Sequence, residues 1–197
     1  MFRVAPISTR NQFGELLNGT GLTGEAVEIG THRADFANAL LNSWKGRMLY
    51  CIDPWATPHG YEEQSKMLWG GAPSRSEDFL EAQSRLAIYE GRFALVCGTS
   101  QGAVEVFHDG RIDFAYIDGD HRYSHVLWDL KHWWPKIKPG GILAGHDWAQ
   151  PGESHAWAGE VQRALQVFLM GSPSDPPDVQ LVVEEGGLPW SFYMVKQ

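Results

Sequence analysis

The sequence predicts a single α/β domain on a doubly wound, mostly parallel sheet of seven strands, with an antiparallel hairpin at its C-terminal end. Two observations lead to this fold. Five short apolar segments alternate with segments of helical periodicity, and the last two strand-like segments follow one another with only a turn between them. Alternating strands and helices are typical of open α/β sheets, whereas two consecutive strands form a hairpin. At 197 residues the chain has the size of one ordinary domain.

The five parallel strands are predicted by segments that are apolar throughout. Such segments suit strands buried on both faces, whereas half-buried strands alternate apolar and polar residues. In chain order the segments are AVEI (26–29), LYCI (49–52), ALVC (94–97), FAYI (114–117) and ILA (142–144). The turn sequence KPGG, at 138–141, leads into the fifth of them.

Helices are predicted between these strands by apolar residues spaced three or four apart. Residues at that spacing share one helical face, so each set marks a face that packs on the sheet. The three sets are Phe36, Leu40, Leu41 and Trp44; Val126, Leu127, Leu130 and Trp134; and Val161, Leu165, Phe168 and Leu169.

The C-terminal hairpin is predicted by VQLVVE at 179–184 and WSFYMV at 190–195, which flank a Gly-Gly-Leu-Pro turn. Strands joined by so short a turn pair antiparallel, so the last strand should run against the others. A dinucleotide-binding sheet, in contrast, continues with parallel strands. The hairpin therefore argues against that class of protein.

Composition and charge exclude several classes of partner. Hydrophobic residues make up 43% and charged residues 20% of the chain, as in globular proteins, and no apolar run approaches the length of a membrane span. The formal net charge is −8, and Lys and Arg occur only singly or in pairs. Nucleic-acid binders carry clustered positive charge, so we expect a small-molecule partner, with no nucleic acid and no membrane.

The N-terminus and the cysteines indicate a cytoplasmic protein. The first residues, MFRVAPISTRNQFGELL, lack the apolar core of a signal peptide. Cys51 and Cys97 each lie in an apolar segment, where free buried thiols are expected, and together they do not form a disulfide framework. The sequence does not set the oligomeric state, and a homo-oligomer is compatible with it.

The segment VEIGTHRADFA, at 27–37, has the composition of a ligand-binding turn after the first strand. Gly30 allows a tight turn from strand to helix, and the free N–H groups at the start of a helix can bind an anionic group. The G-x-G-x-x-G pattern of dinucleotide sites is absent, because Thr31 and the residues after it replace the later glycines. A carboxylate therefore fits this turn better than a pyrophosphate, and an ordinary strand-to-helix turn is the alternative.

Two further residues at strand ends are suited to contact a nucleoside. Asp53 ends the second predicted strand, where an acidic side chain can accept hydrogen bonds from both ribose hydroxyls; a helix N-cap is the competing role. Ser100 follows the third strand in CGTS, where it either lines an adenine site or caps the next helix.

Carboxylates and imidazoles collect at the ends of the fourth and fifth predicted strands. Asp118 follows FAYI, and His146 and Asp147 follow ILA. Because the carboxyl ends of parallel strands meet at the ligand crevice, these three side chains should lie together. Such groups repel or desolvate one another unless a cation or a substrate satisfies them. Asp120 and His121 either belong to this cluster or cap the helix that follows.

Two long segments lie between the predicted elements. Residues 54–75 are rich in Gly, Pro and aromatic residues, and a connection of this length in a compact domain is usually a functional lid or a mobile loop. The segment AQPGESHAWAG, at 149–159, precedes the last helix. We expect both segments to shape the side of the site that receives a substrate.

Together the motifs resemble those of class I S-adenosylmethionine-dependent methyltransferases. The resemblance runs from about residue 26 to residue 168 and is carried by VEIGTHRADFA, YCIDPW, YIDGDHRY and KPGGILAGHDW. Its most specific part is the pair IDGDH and KPGGILAGHD. The nearest branch includes cephalosporin-hydroxylase-like proteins and macrolide-sugar O-methyltransferases.

This resemblance implies transfer of a methyl group from S-adenosylmethionine to a hydroxyl of a small molecule, on a Rossmann-like sheet. The cofactor-binding residues that it implies are Glu28, Gly30, Thr31, Asp53, Ser100 and Asp118. It also implies a divalent metal at Asp118, His146 and Asp147, and His121 as the general base, with Asp118 beside it at the reaction centre. Magnesium prefers oxygen ligands, so the nitrogen of His146 favours manganese, iron, zinc or no metal.

Two alternatives stay open from the residues alone. The domain could bind S-adenosylmethionine without catalysis, as an accessory protein. The cluster of Asp and His side chains could instead serve a metal-dependent hydrolase or hydroxylase on the same sheet. Turnover of the methyl donor with an acceptor separates a methyltransferase from both.

Overall fold

The computed structural model describes residues 2–55, 75–149, 159–171, 176–184 and 190–197. These residues form one mixed sheet of eight strands with helices packed on both of its faces. The strands are β1 (Phe2–Val4), β2 (Glu25–Ile29), β3 (Met48–Asp53), β4 (Phe93–Cys97), β5 (Ile112–Ile117), β6 (Ile137–Trp148), β7 (Val179–Val182) and β8 (Trp190–Val195). Their order across the sheet is β1-β7-β8-β6-β5-β2-β3-β4. The doubly wound α/β fold predicted from the sequence is confirmed.

All seven predicted strands are present, and β1 adds an eighth at one edge. β8 runs antiparallel to both β6 and β7, as the C-terminal hairpin requires, and the remaining pairs are parallel. β1 pairs with β7 through three residues, all of them exposed. Three exposed residues are too few to show a strand pattern, so the sequence did not indicate β1.

Helices cover the two faces of the sheet in two groups. In the described residues they are α1 (Phe13–Gly19), α2 (Asp35–Ser43), α3 (Arg75–Leu86), α4 (Ser100–Val104), α5 (Tyr123–Trp133) and α6 (Glu160–Met170), with a 3-10 turn, Arg10–Gln12, before α1 and another, Ala87–Tyr89, after α3. α1, α2 and α3 pack on one face, and α4, α5 and α6 on the other. β5 contributes to both cores, with Phe114 and Tyr116 on the first face and Ala115 and Ile117 on the second. No helix in this part of the chain is long and apolar enough to span a membrane.

Three details differ from the sequence-based expectation. In α5 the fully buried aromatic residue is Trp133, whereas Trp134 is only partly buried. β6 begins at Ile137, ahead of the KPGG turn, because Ile137 pairs with β5 before an irregularity in the register. Cys51 is buried as expected, but Cys97 is exposed, because it ends the edge strand β4. Both thiols are free.

The order of the strands places a topological switch point between β2 and β5. From β2 the chain continues outward to β3 and β4, and it then returns to β5 and continues to β6 on the other side. In open α/β sheets, ligands bind at the carboxyl ends of the strands where the winding reverses in this way. The segments at 54–75 and 149–159 follow such strand ends, and most of each lies outside the described residues.

Candidate active site

Four side chains predicted from the sequence meet at the carboxyl ends of β5 and β6. Nδ1 of His121 lies 3.0 Å from Oδ2 of Asp147. Nδ1 of His146 lies 3.2 Å from that same oxygen and 3.6 Å from Oδ1 of Asp118. Each of the four side chains is only partly exposed. The structure thus joins the tips of both strands with His121, which lies between β5 and α5.

The two carboxyl groups of this cluster titrate as a pair. Burial, followed by the charge of Asp147, raises the pKa of Asp118 well above its ordinary value. Burial also acts to raise the pKa of Asp147, but hydrogen bonds from His146 and Asp118 and the charge of His121 outweigh it and hold the pKa at about 2. Asp118 therefore releases its proton at a higher pH than Asp147, because two carboxyl groups in contact do not ionise independently.

His121 is held by the cluster and does not cap the helix that follows. α5 begins at Tyr123, and Oδ1 of Asp120 accepts the backbone N–H of Arg122, 3.0 Å away. Asp120 thus fixes the turn before the helix and is not its cap, because the N-cap is Arg122 and makes no side-chain capping hydrogen bond. The cap interpretation of Asp120 is therefore wrong. His121 instead turns towards Asp147.

The two histidines of α5 lie apart from the cluster. Nδ1 of His125 is 3.7 Å from Oδ2 of Asp120. The ring of His132 stacks on Trp128, with the ring centroids 3.7 Å apart. Of these three histidines, His121 is the one that contacts Asp147.

Three side chains of the cluster have the geometry of a metal site. One ligand atom each from Asp118, His121 and Asp147 lies within 4.8 Å of the other two. Two carboxylate oxygens and one imidazole nitrogen suit a divalent ion that tolerates nitrogen, such as manganese, iron or zinc. The set predicted from the sequence has His146 in place of His121, and His146 also contacts both carboxylates. Which histidine completes the set stays a prediction.

A cation that the sequence analysis did not single out reaches the same cluster. Nη1 of Arg10, in the 3-10 turn before α1, lies 3.2 Å from Oδ2 of Asp118. The backbone N–H of Arg10 donates to the buried carboxylate of Glu184, 3.0 Å away. Burial acts to lower the pKa of Arg10, but the neighbouring Tyr116, Asp118 and Glu184 act more strongly in the opposite direction. The pKa is therefore raised above its ordinary value, and the guanidinium stays charged. A lone Arg outside any motif gives no signal in the sequence.

Two buried polar atoms beside the cluster lack a hydrogen-bond partner among the described residues. They are Oε2 of Glu28, in β2, and Oγ1 of Thr31, in the turn after it. Glu28 is 2% exposed and Thr31 is 3% exposed. Buried polar atoms are normally paired, so these two fit a ligand that donates hydrogen bonds at the switch point. The ammonium group of S-adenosylmethionine is such a donor, and its charge matches a carboxylate.

The protonation of Glu28 also depends on its surroundings. Burial raises the pKa of Glu28 to about 8; the neighbouring hydroxyl of Thr31 opposes this rise, the charge of Asp53 adds to it, and the charge of Arg10 opposes it. A cationic ligand next to Glu28 would favour the ionised carboxylate and so lower this pKa. The carboxyl group is therefore poised to release a proton when such a ligand binds.

The backbone at Gly30 lies in close contact with the backbone of another strand end. Its φ is +89°, which residues with a side chain rarely adopt, and a Cβ atom would lie 2.2 Å from the carbonyl oxygen of Asp118. The tight turn predicted at Gly30 thus lets the end of β2 pack directly against the end of β5 at the switch point.

Asp53 fastens the turn after β2 to the turn after β3. Its Oδ2 accepts the backbone N–H of His32 at 2.9 Å, and its Oδ1 accepts that of Trp55 at 2.8 Å. The indole of Trp55 in turn donates to the carbonyl of His32, 2.8 Å away. A carboxylate has about four acceptor positions, so these two bonds leave capacity for ribose hydroxyls.

Unusual backbone conformations collect at the same edge of the sheet. In the described residues, the non-glycine positions with left-handed φ are His32 (50°), Ala34 (63°), Trp55 (36°) and Asp147 (56°). All four follow or end strands β2, β3 and β6 at their carboxyl ends. Strained conformations persist where the surrounding structure fixes them, and they concentrate at functional sites.

Ser100 has partners inside the protein and does not cap α4. The N-cap is Thr99, whose hydroxyl accepts the backbone N–H of Gly102 at 3.2 Å. The hydroxyl of Ser100 donates to the buried Asp129 and accepts from the indole of Trp133, 2.8 Å away. The cap interpretation of Ser100 is therefore wrong, and its role towards a cofactor stays a prediction.

A comparison with protein families matches the part of the chain that forms this site. A family model described as a methyltransferase domain matches residues 27–148, which is more than half of the chain. The match runs from β2 to the end of β6, so it includes both halves of the crevice. A comparison with curated proteins found no match.

Solved structures with the same fold belong to proteins that are described as different enzymes. An O-methyltransferase from Bacillus cereus in complex with SAH has 16% identity and a TM-score of 0.64, covering 98% of this chain and 82% of that one. An rRNA methylase from Streptococcus thermophilus has 10% identity and a TM-score of 0.56, covering 92% and 95%. A spermidine synthase from Thermotoga maritima has 12% identity and a TM-score of 0.58, covering 95% and 60%.

At these identities the structural likeness establishes the fold alone, and the spermidine synthase shows that the fold is not restricted to methyl transfer. The family match goes further, because it covers the strand ends that build the site. The chain belongs to the methyltransferase-domain family, and its fold is that of the class I S-adenosylmethionine-dependent methyltransferases.

Proposed function

We propose that this protein transfers a methyl group from S-adenosylmethionine to a hydroxyl group of a small molecule. The observation that carries the proposal is the contact between His121 and Asp147, beside Asp118. With the Nδ1–H of His121 placed towards the carboxylate of Asp147, Nε2 is the basic atom of the imidazole. Methyl transfer to a hydroxyl requires removal of its proton, and a positioned base does this.

Residues at the ends of β2 and β3 bind the cofactor, and residues beyond the ends of β5 and β6 remove the proton of the acceptor. S-adenosylmethionine, when bound, supplies a methyl group on a positively charged sulfur. Glu28, Thr31 and Asp53 bind it at the ends of β2 and β3 through the acceptor atoms described above. His121 takes the acceptor proton at Nε2, and the ionised Asp147 stabilises the imidazolium that results.

The carboxylates are also suited to hold a divalent ion. We place its ligands at Asp118, His146 and Asp147, which leaves His121 as the base. When bound there, such an ion lowers the pKa of an acceptor hydroxyl. A nitrogen ligand favours manganese, iron or zinc over magnesium.

Charge supports a small-molecule acceptor. The chain has 24 acidic and 16 basic residues. Two cations near the site are already paired, Arg10 with Asp118 and Arg122 with Asp120. A phosphate backbone is bound through clustered Lys and Arg, so a nucleic-acid acceptor fits this surface poorly.

The cofactor half of the proposal predicts a loss of affinity in Asp53→Ala. Binding of S-adenosylhomocysteine should weaken roughly ten- to hundredfold, because a charge-assisted hydrogen bond typically contributes about 1.5–3 kcal/mol. Titration calorimetry measures this directly. Because Asp53 also holds two turns, a thermal melt of each variant must show that the fold is retained.

Asp109→Ala is the matched control. It removes the same charge from an exposed side chain that precedes β5, at the opposite edge of the sheet, where Lys136 pairs with it at 2.8 Å. Its affinity should equal that of the unmodified protein. Unchanged binding in Asp53→Ala would remove Asp53 from the site, and an unmodified protein that does not bind S-adenosylhomocysteine would contradict the proposed cofactor.

The metal half predicts that excess chelator abolishes methyl transfer and leaves the affinity for S-adenosylhomocysteine nearly intact. Manganese should restore turnover better than magnesium, because the site offers a nitrogen ligand. Manganese binding should be lost in His146→Ala and kept in His121→Ala; the reverse result would make His121 the ligand. Full activity in excess chelator would show that the cluster acts without a metal.

A further inference from the structure

We propose that Arg10 competes with a divalent cation for Asp118, so that the N-terminal segment sets how strongly this site binds metal. The inference rests on the proposed function, in which Asp118 is a metal ligand. Asp118 belongs both to the set predicted from the sequence and to the set that the geometry brings together. Its Oδ2 is the oxygen that contacts Nη1 of Arg10, at 3.2 Å.

Arg10 is held in place by contacts beyond the ion pair. Its backbone N–H donates to Oε1 of Glu184 at 3.0 Å, and the hydroxyl of Thr9 donates to Oε2 of the same carboxylate at 3.3 Å. Glu184 is 8% exposed, and the side chain of Arg10 is 29% exposed. A surface arginine could swing into water when a metal arrives. The backbone of Arg10 is anchored and most of its side chain is covered, so its guanidinium has less freedom to leave Asp118 than that of a surface arginine.

Two cations on one carboxylate repel each other. The guanidinium already partly neutralises Asp118, and a divalent ion bound to the same carboxyl group would lie within a few ångströms of it. This repulsion in a partly buried site lowers the affinity for a divalent ion by roughly ten- to hundredfold. An uncharged donor in the same place would orient the carboxylate without this penalty.

The test is to titrate the protein with Mn²⁺ alone and to follow the free ion by electron paramagnetic resonance. Arg10→Met removes the charge and keeps a side chain of similar length, and it should bind Mn²⁺ roughly ten- to hundredfold more tightly than the unmodified protein. Arg10→Lys keeps the charge and should stay within a few-fold of the unmodified protein. The backbone bond to Glu184 remains available in both variants.

Arg122→Met is the matched control. Arg122 also carries one positive charge near the site, and it pairs with Asp120, which is outside the proposed ligand set. The affinity of this variant for Mn²⁺ should change by less than about threefold, since the charge removed is paired with a carboxylate other than the ligands. Adding Asp147→Asn to Arg10→Met should abolish the gain, which would place the ion in this cluster.

Equal or weaker Mn²⁺ binding in Arg10→Met would overturn the inference, and weaker binding would make Arg10 a support of the metal site. A gain that survives Asp147→Asn would also overturn it, because the ion would then bind elsewhere. The proposed function fails separately, through absent binding of S-adenosylhomocysteine or absent methyl transfer. A clear gain in Mn²⁺ affinity together with those absences would keep the inference and remove the methyltransferase assignment of this site.

Discussion

His121→Ala should lower the turnover of methyl transfer by roughly 10²–10⁴-fold, which is the contribution of a well-placed general base. The imidazole is oriented by Asp147, whose Oδ2 is 3.0 Å from Nδ1, so that Nε2 accepts the proton of the acceptor hydroxyl. The affinity for S-adenosylhomocysteine should change little, because His121 is not among the proposed cofactor ligands. The loss should shrink at high pH, where the hydroxyl ionises without help. Turnover measured across pH with an identified acceptor tests both statements.

His125→Ala and His132→Ala are the controls for this experiment. His125 lies beside Asp120 and His132 stacks on Trp128, so neither side chain reaches the cluster. Both variants should keep turnover close to that of the unmodified protein. Near-normal turnover in His121→Ala at neutral pH would refute its role as base. Comparison of Mn²⁺ affinities then shows whether a loss in His121→Ala comes from a missing base or a missing ligand.

Glu28→Gln should stabilise the cofactor-free protein, and increasingly so as the pH rises. The pKa of Glu28 is raised by burial to about 8 in the folded protein, against an ordinary value of 4.5. Between these values the unfolded chain has released the proton and the folded protein still binds it, so stability falls as the pH rises. Gln does not titrate, so Glu28→Gln does not lose stability in this way as the pH rises. Each pKa unit corresponds to about 1.4 kcal/mol, so the variant should gain on the order of 4 kcal/mol between pH 4.5 and 8.

Urea denaturation at pH 5, 6.5 and 8 measures this difference. Burial also raises the pKa of Asp129, to about 7, so this residue lowers the stability over part of the same pH range. Because Asp129 is present in both the variant and the unmodified protein, its contribution cancels in their difference. Glu15→Gln, at an exposed position in α1, should show a constant offset at all three values. Parallel pH profiles for Glu28→Gln and the unmodified protein would contradict the prediction.

The same substitution should weaken cofactor binding, so stability and function oppose each other at Glu28. An ionised carboxylate is costly in the free protein because it is buried, and it becomes favourable only beside a cationic ligand. Natural sites often keep such a destabilising group because ligand binding uses it. The unpartnered Oε2 of Glu28 is the structural sign of this compromise.

The fold could be predicted where the signal is local. β2, β3 and β5 are mostly apolar and mostly buried, and each ends at or directly before a glycine or a polar residue, so both their existence and their ends are visible in the sequence. β1 could not be predicted, since it exists only by pairing with β7 at the far end of the chain. The choice between Trp133 and Trp134 as the buried residue of α5 likewise depends on a packing angle that helical periodicity does not resolve.

The site could be predicted where topology alone brings residues together. Asp118, His146 and Asp147 follow neighbouring parallel strands, and parallel strands necessarily end at one edge of the sheet. The partners of Ser100 could not be inferred, because they depend on how α4 packs against α5. The contact between Arg10 and Asp118 could not be predicted for a similar reason, since no pattern in a turn indicates which distant carboxylate the turn will contact.

The bond between Arg10 and Glu184 has a consequence for the order in which the protein is assembled. It joins positions 174 residues apart. During synthesis Arg10 leaves the ribosome 174 residues before Glu184, so its anchor exists only after those further residues have been added. Contacts of such long sequence separation also form slowly, because closing a large loop costs chain entropy. We therefore expect the acids and imidazoles of β5 and β6 to come together before Arg10 is held beside Asp118.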